Sequence, residues 1–104
     1  MIIYVDIDDT ICYHMQEDKD NLNYSNAIPF IERIKKINSL YDNGNTIVYW
    51  TARGTQTGKN WFQVTYNQLI SWNAKFHELR MGKPNYDLFI DDKNINSDVY
   101  FHTN

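Results

Sequence analysis

Three β-prone runs stand out along the chain: "IIYV" at 2–5, "TIVYW" at 46–50 and "YDLFI", interrupted by Asp87, at 86–90. Runs of this length, rich in β-branched and aromatic residues, predict strands covered on both faces, as in a parallel sheet. Between the first two, "AIPFIERIKKINSLYDNG" changes period. Ile31, Ile34, Ile37 and Tyr41 recur every three to four residues, which predicts a helix with one buried face. Pro29 fits its first turn and Gly44 the position just past its end. A second helix is predicted over "WFQVTYNQLISW", with Trp61, Thr65, Leu69 and Trp72 along one side. "KFHEL" predicts a short strand and "VYF", at 99–101, a last edge strand. The polar stretch 13–26 has no clear period and predicts a loop or short flap.

Strands alternating with helices predict an α/β fold of three layers, a Rossmann-like parallel sheet with helices on both faces. Ligands of such sheets bind beyond the carboxyl ends of the strands. The first strand is followed there by "DIDDT", the second by "TARG" and the third by "DD". Asp6 and Asp8 are two residues apart, so along an extended chain they share a face, roughly 6–7 Å apart. Asp91 and Asp92 end another predicted strand. If the two strands are neighbours, the carboxylates converge, and a hard divalent cation such as Mg2+ relieves their repulsion. A lone Asp after a strand is usually a turn residue. Two acidic clusters, each closing an apolar run, favour a metal site.

Thr51 offers a hydroxyl and the amides after it, including that of Ala52, to an anion. Lys83, in "MGKPNYD", offers a compact cation. Taken singly, each is more often a turn residue or a solvated lysine. With the carboxylates they supply a nucleophile, a proton donor, a metal and cationic clamps, the parts of phosphoryl transfer. Arg53, two residues past Thr51, is placed to clamp phosphate or a second anionic group. "TARGTQTGKN" is not a P-loop. Only three residues separate Gly54 from Gly58, and Asn60 stands where a hydroxyl would hold magnesium. Gly54, Gly58 and Lys59 are therefore expected at the rim of the site.

Composition narrows the picture further. The 104 residues suit one domain over 1–104. The net charge of −3 gives no support to a nucleic-acid-coating surface. Cys12 is the single cysteine, which fits a reducing compartment and a small core residue. The start of the chain lacks the basic and apolar regions of a signal peptide, and no apolar run approaches a membrane span. A cytoplasmic protein without membrane contact is expected. Tyr13 and Trp61 are expected at the cleft rim, His77 and Arg80 in support of the fold, and His14 in solvent.

The ordered set "VDIDDTI", "TIVYWT", Lys83 and "LFIDD" resembles the four motifs of the haloacid dehalogenase superfamily, and spans residues 2–92. The phrases "TARG", "GKP" and "DLFIDDK" are similar to a subgroup of small phosphatases of capsule and surface-polysaccharide biosynthesis. The resemblance implies a HAD-like phosphatase with Asp6 as nucleophile. Asp8 would protonate the leaving alcohol and then activate water. Mg2+ would be held by the Asp6 carboxylate, the Asp8 backbone carbonyl and Asp92, with Asp91 acting through water or holding Lys83. Thr51, Ala52 and the following amides would bind the phosphoryl oxygens. Asp9 sits at a variable position whose backbone would line the phosphate site. The insertion points that carry cap domains in this family are short here, which implies no cap domain and an open cleft. Such a cleft admits a small or bulky phosphorylated substrate, or is shielded by a homo-oligomer. A sugar or polyol phosphate is the implied substrate. Two rivals remain: a phosphatase of nucleotides or nucleic-acid ends, and a non-enzymatic phosphate-binding regulatory module. A receiver domain fits less well, because the middle strand ends in Thr51 rather than in a phospho-accepting Asp.

Overall fold

The computed structural model describes residues 1–102. Two of the three apolar runs form strands as expected: β1 (Ile2–Val5) and β4 (Thr46–Trp50). The full order is β1, β2 (Cys12–Tyr13), α1 (Gln16–Asp20), β3 (Ile28–Pro29), α2 (Ile31–Asp42), β4, α3 (Phe62–Ser71), β5 (Glu78–Arg80) and α4 (Ser97–Phe101). β4 lies between β1 and β5, parallel to both, with Val5 opposite Tyr49 and Tyr49 opposite Leu79. The chain is α/β with a parallel three-stranded sheet.

Side chains on one face of this sheet, Ile3, Val5, Ile47, Tyr49 and Leu79, meet Ile34 and Ile37 of α2 and Leu69 of α3 in one core. Ile47, Tyr49 and Leu69 are fully buried. Fully burying one such aliphatic side chain stabilises by roughly 1.5–3 kcal/mol. The expected arrangement of helices on both faces is corrected here. The sheet steps in one direction, β1 to β4 to β5, so crossovers of one hand land their helices on the same side. Tyr100 and Phe101 of α4 pack on that core as well. The opposite face carries Ile2, Tyr4, Trp50 and Arg80, with Ile2 71% exposed and Tyr4 edge-on to Trp50.

Both long helices end in the same local device. After α2, Gly44 adopts φ +91°, its N–H donates to Tyr41 and that of Asn45 to Leu40. After α3, Asn73 adopts φ +59°, with Asn73 donating to Ile70 and Ala74 to Leu69. Each is a Schellman stop that turns the chain straight into the next strand. Pro29 is not in the first turn of α2. It pairs with Cys12 in the antiparallel β2–β3 ladder, and Phe30 donates its N–H to Ile11. The polar flap is thus tied at its base and carries the five-residue α1.

Two expected strands do not form. Residues 99–101 belong to α4, because the Asn96 side chain accepts the Asp98 N–H at 2.9 Å and starts a helix. Residues 86–90 make no strand pairing among the described residues and lie exposed, with Leu88 75% and Ile90 87% accessible. No helix is long and apolar enough to cross a membrane.

Candidate active site

The carboxyl ends of β1 and β4 open into a cleft of about 430 Å³, lined among others by Asp6, Asp8, Asp9, His14, Ala52, Arg53 and Lys83. Asp6 follows β1 directly. The Lys83 ammonium lies 3.2 Å from its Oδ1, and the Thr10 hydroxyl donates to its Oδ2 at 3.2 Å. Burial raises the Asp6 pKa, and Lys83 and the Ile7 amide oppose the rise. For Lys83, burial acts against the charge, but Asp6 and Tyr86 outweigh it and leave its pKa raised. Lys83 is fixed by its backbone: its N–H donates to the Thr51 carbonyl at 3.0 Å. Lys83 is thus anchored beside Asp6 by the end of the central strand.

Thr51 is buried. Its own N–H donates to Arg80, and its hydroxyl oxygen accepts the Arg53 N–H at 3.1 Å. These two amides are therefore already engaged. The Ala52 amide has no partner among the described residues, and Ala52 lines the cleft. Asp9 holds the left-handed φ of +62° that folds the first motif into a tight turn. Its N–H donates to Cys12 and its carbonyl accepts the Ser97 hydroxyl.

Asp8 sits in a different environment. Arg53 Nε reaches both of its carboxylate oxygens, at 3.2 and 3.0 Å, and Nη2 reaches Oδ1 at 2.8 Å. His14 Nε2 lies 2.6 Å from the same Oδ1. Burial alone would push the Asp8 carboxyl up. The bonds from His14 and Arg53 prevail and hold it at about 2. With Asp8 ionised, His14 Nε2 carries the shared proton, and its buried Nδ1 has no partner among the described residues. The expectation of an exposed His14 is corrected: its side chain is 5% accessible. The β2–β3 pairing turns the flap back over Asp8, which nothing in the spacing of Asp8 and His14 announces.

Arg53 is corrected as well. Its side chain is fully buried, and Nη1 donates to Thr65 Oγ1 at 3.0 Å and Gln68 Oε1 at 2.6 Å on α3. With Nε and Nη2 on Asp8, its donors face inward instead of toward a phosphate. It is the clamp that ties Asp8 to α3. Thr65 and Gln68, one turn apart, were visible only as helix residues. Gly54 admits the chain behind this arginine. A Cβ there would stand 2.1 Å from the Lys59 carbonyl, and φ is +82°. Lys59 itself lies over the Trp61 ring at 4.3 Å, beside a second, smaller hollow. Trp61 is buried rather than at the rim. Tyr24, stacked edge-on against it, lines the main cleft. His77 supports the fold as expected, accepting the Ile47 N–H and stacking on Tyr41.

The acidic fourth motif is not at this site. Asp91 and Asp92 are exposed and absent from the cleft wall, because the segment that would carry them beside β1 is not in the sheet. Among the described residues, Asp91 accepts the Lys93 N–H alone. A different group, Asp8, Cys12 and His14, brings its ligand atoms within 4.8 Å of one another. It does not fit a cation. The Arg53 guanidinium already occupies Asp8, and burial pushes the Cys12 thiol up, away from the thiolate a metal needs. For magnesium, the Asp6 carboxylate and the Asp8 carbonyl at the cleft are the groups that would hold the ion, a set that suits a cation that keeps several waters and bridges to phosphate.

The chain is similar in fold to the crystal structure of an MCSG target protein from Vibrio cholerae, with a TM-score of 0.81 and 21% identity over 99% of this chain and 89% of that one. No family model matches the chain, and no curated protein matches it. At this identity the likeness establishes the α/β fold.

Proposed function

We propose that the chain is a phosphomonoesterase of the haloacid dehalogenase type, working through an aspartyl-phosphate on Asp6. The observation that carries the proposal is the Asp6–Lys83 pair, 3.2 Å apart at the mouth of a cleft that also presents the Ala52 amide. An Asp6 oxygen attacks the substrate phosphorus, the bond from phosphorus to the alcohol oxygen breaks, and that oxygen takes up a proton. Water then attacks the phosphorus of the acyl phosphate, releasing inorganic phosphate and restoring the carboxylate. Lys83 and the Ala52 amide face the charge on the phosphoryl oxygens, and the Thr51 hydroxyl stands behind them. Asp8 serves proton transfer together with His14, whose Nε2 lies 2.6 Å from Asp8 Oδ1.

Asn23 and Asn85 offer amides, and Tyr24 and Tyr86 offer ring faces, around the same cleft. These suit the hydroxyls and the carbon face of a sugar or polyol phosphate, the substrate class proposed here, with a place in polysaccharide synthesis. Mg2+ belongs to the proposal as the cation that would neutralise phosphoryl charge when bound, held by the Asp6 carboxylate and the Asp8 carbonyl. Phosphate release is to be screened with magnesium over sugar phosphates, nucleotides and 3′-phosphorylated oligonucleotides, with Asp6→Asn as control. Turnover of sugar phosphates that the variant lacks is the expected result. Equal turnover by wild type and variant sinks the assignment.

A further inference from the structure

The flap at 14–26 forms one wall of the cleft through Asn23 and Tyr24. Its own structure holds it there only weakly. Helix α1 buries no side chain, and the ladder at the base pairs Cys12 with Pro29 and Tyr13 with Ile28. Hydrogen bonds carry the flap across to the body of the fold near its two ends. At the first, His14 meets Asp8. At the second, Gln68 of α3 donates through Nε2 to the Tyr24 carbonyl at 2.8 Å and to the Ser25 carbonyl at 3.3 Å. Gln68 therefore grips the backbone directly behind the cleft-facing pair.

The other half of the same amide faces the opposite way. Gln68 Oε1 accepts from Arg53 Nη1 at 2.6 Å, and Arg53 in turn holds Asp8. One planar group thus joins a substrate-facing wall to the clamp on Asp8. The arrangement calls for an amide, with an acceptor toward the guanidinium and a donor toward two carbonyls. Turned over, the amide would set N–H against N–H and oxygen against oxygen. A glutamate would satisfy Arg53 but set a carboxylate oxygen against the two carbonyls. A methionine, of similar length, would satisfy neither side. Tyr24 packs into the same junction: Arg53 lies over its ring at 5.0 Å, and the ring stands edge-on to Trp61 at 5.1 Å.

We propose that Gln68 is a positioning residue that latches the flap to the Arg53 clamp, fixing the wall that receives the substrate's alcohol portion relative to the carboxylate that serves proton transfer. Gln68 itself is not in the cleft wall. Its donor side acts on binding through Asn23 and Tyr24, and its acceptor side acts on the chemistry through Arg53. Thr65 also holds Arg53 Nη1, at 3.0 Å, so losing Gln68 does not free the arginine outright. The kinetic role rests on the phosphatase reading above; the latch itself does not.

Two variants separate the two sides. Amide hydrogen exchange tests the latch without any turnover. In Gln68→Glu the amides of 14–26 are expected to exchange about tenfold faster, with those of β1 and β4 unchanged, because the flap opens locally once its far end is released. Unchanged exchange across the flap overturns the latch. Kinetics on a substrate found in the phosphate-release screen test the role. Gln68→Glu is expected to raise KM about tenfold, the worth of about one hydrogen bond, and to change kcat less than about twofold. Gln68→Met is expected to raise KM alike and also to lower kcat about fivefold, since it loses both sides. If both variants melt at a lower temperature yet keep the wild-type kcat and KM, Gln68 only supports α3 and the proposal is overturned. Equal losses of kcat in the two variants overturn the division between donor and acceptor sides. Absence of turnover in the wild type sinks the phosphatase reading, and hydrogen exchange alone then judges the latch.

Discussion

Asp8 and Asp92 both follow apolar, β-prone segments, yet their surroundings are opposite. Asp8 is enclosed by Arg53, His14 and Cys12, held from β1, from the loop after β4 and from the flap. Asp92 is exposed at the end of an arm that pairs with no strand among the described residues. The difference lies in tethers. Around Asp8, three chain segments converge because the parallel β1–β4 pairing and the β2–β3 ladder leave them no other path. Around Asp92, the segment after Lys83 forms no ladder with β1, and no neighbouring segment among the described residues encloses the acidic pair.

The largest expected effect tests the enclosed region. Arg53→Met leaves Asp8 buried without its main partner and removes the links to Thr65 and Gln68. It is expected to cost about 3–5 kcal/mol in urea unfolding. A loss below 1 kcal/mol would mean that the cluster is not held together by this arginine. Gly54→Ala comes next, at about 2 kcal/mol or more, because its Cβ meets the Lys59 carbonyl and its φ is left-handed. Melting temperatures of the two variants against wild type check that order.

Acid titration sharpens the comparison. The folded Asp8 titrates at about 2, below its ordinary 3.8. A depressed carboxyl adds stability above its unfolded pKa and loses it as pH falls through the folded value. The contribution, about 2 kcal/mol, is therefore complete above pH 4 and fades toward pH 2. The raised Asp6 acts the other way, since its cost at neutral pH is relieved by acid. Unfolding free energies of wild type and Asp8→Asn should converge as pH falls from 4 to 2; a constant gap would remove the ion pair as the cause. The smallest effect belongs to the arm. Leu88→Ser with Ile90→Ser is expected to change the unfolding free energy by less than about 0.5 kcal/mol, because both side chains are exposed. A larger loss would place the arm in the core.

The same contrast explains what could be read from the sequence. "IIYV" and "TIVYW" announced their strands, and the helix periods placed Ile34, Ile37 and Leu69 in the core. "YDLFI" carries a like signal, but it forms no ladder with β1 and stays exposed, and an apolar run does not by itself specify a pairing partner. "NSD" at 96–98 was a legible helix cap overlooked in favour of the β-prone "VYF". In the site, Lys83 meets Asp6, whereas the resemblance allowed Asp91 as its holder. The Arg53–Asp8 clamp joins residues 45 apart in the chain, and the side chain's direction, toward α3 rather than the cleft, depends on Thr65 and Gln68. His14 was hidden for a like reason: only the flap's fold-back gives it a partner.

The most direct test of the central claim is to look for the phosphoryl group on Asp6. Wild-type protein turning over a substrate found in the phosphate-release screen is quenched in acid and mapped by peptide mass spectrometry. The account predicts one added phosphoryl group on the peptide holding Asp6, absent from Asp6→Asn along with the turnover. Undiminished phosphate release by Asp6→Asn, or turnover by wild type with the phosphoryl group trapped on another residue, would contradict it.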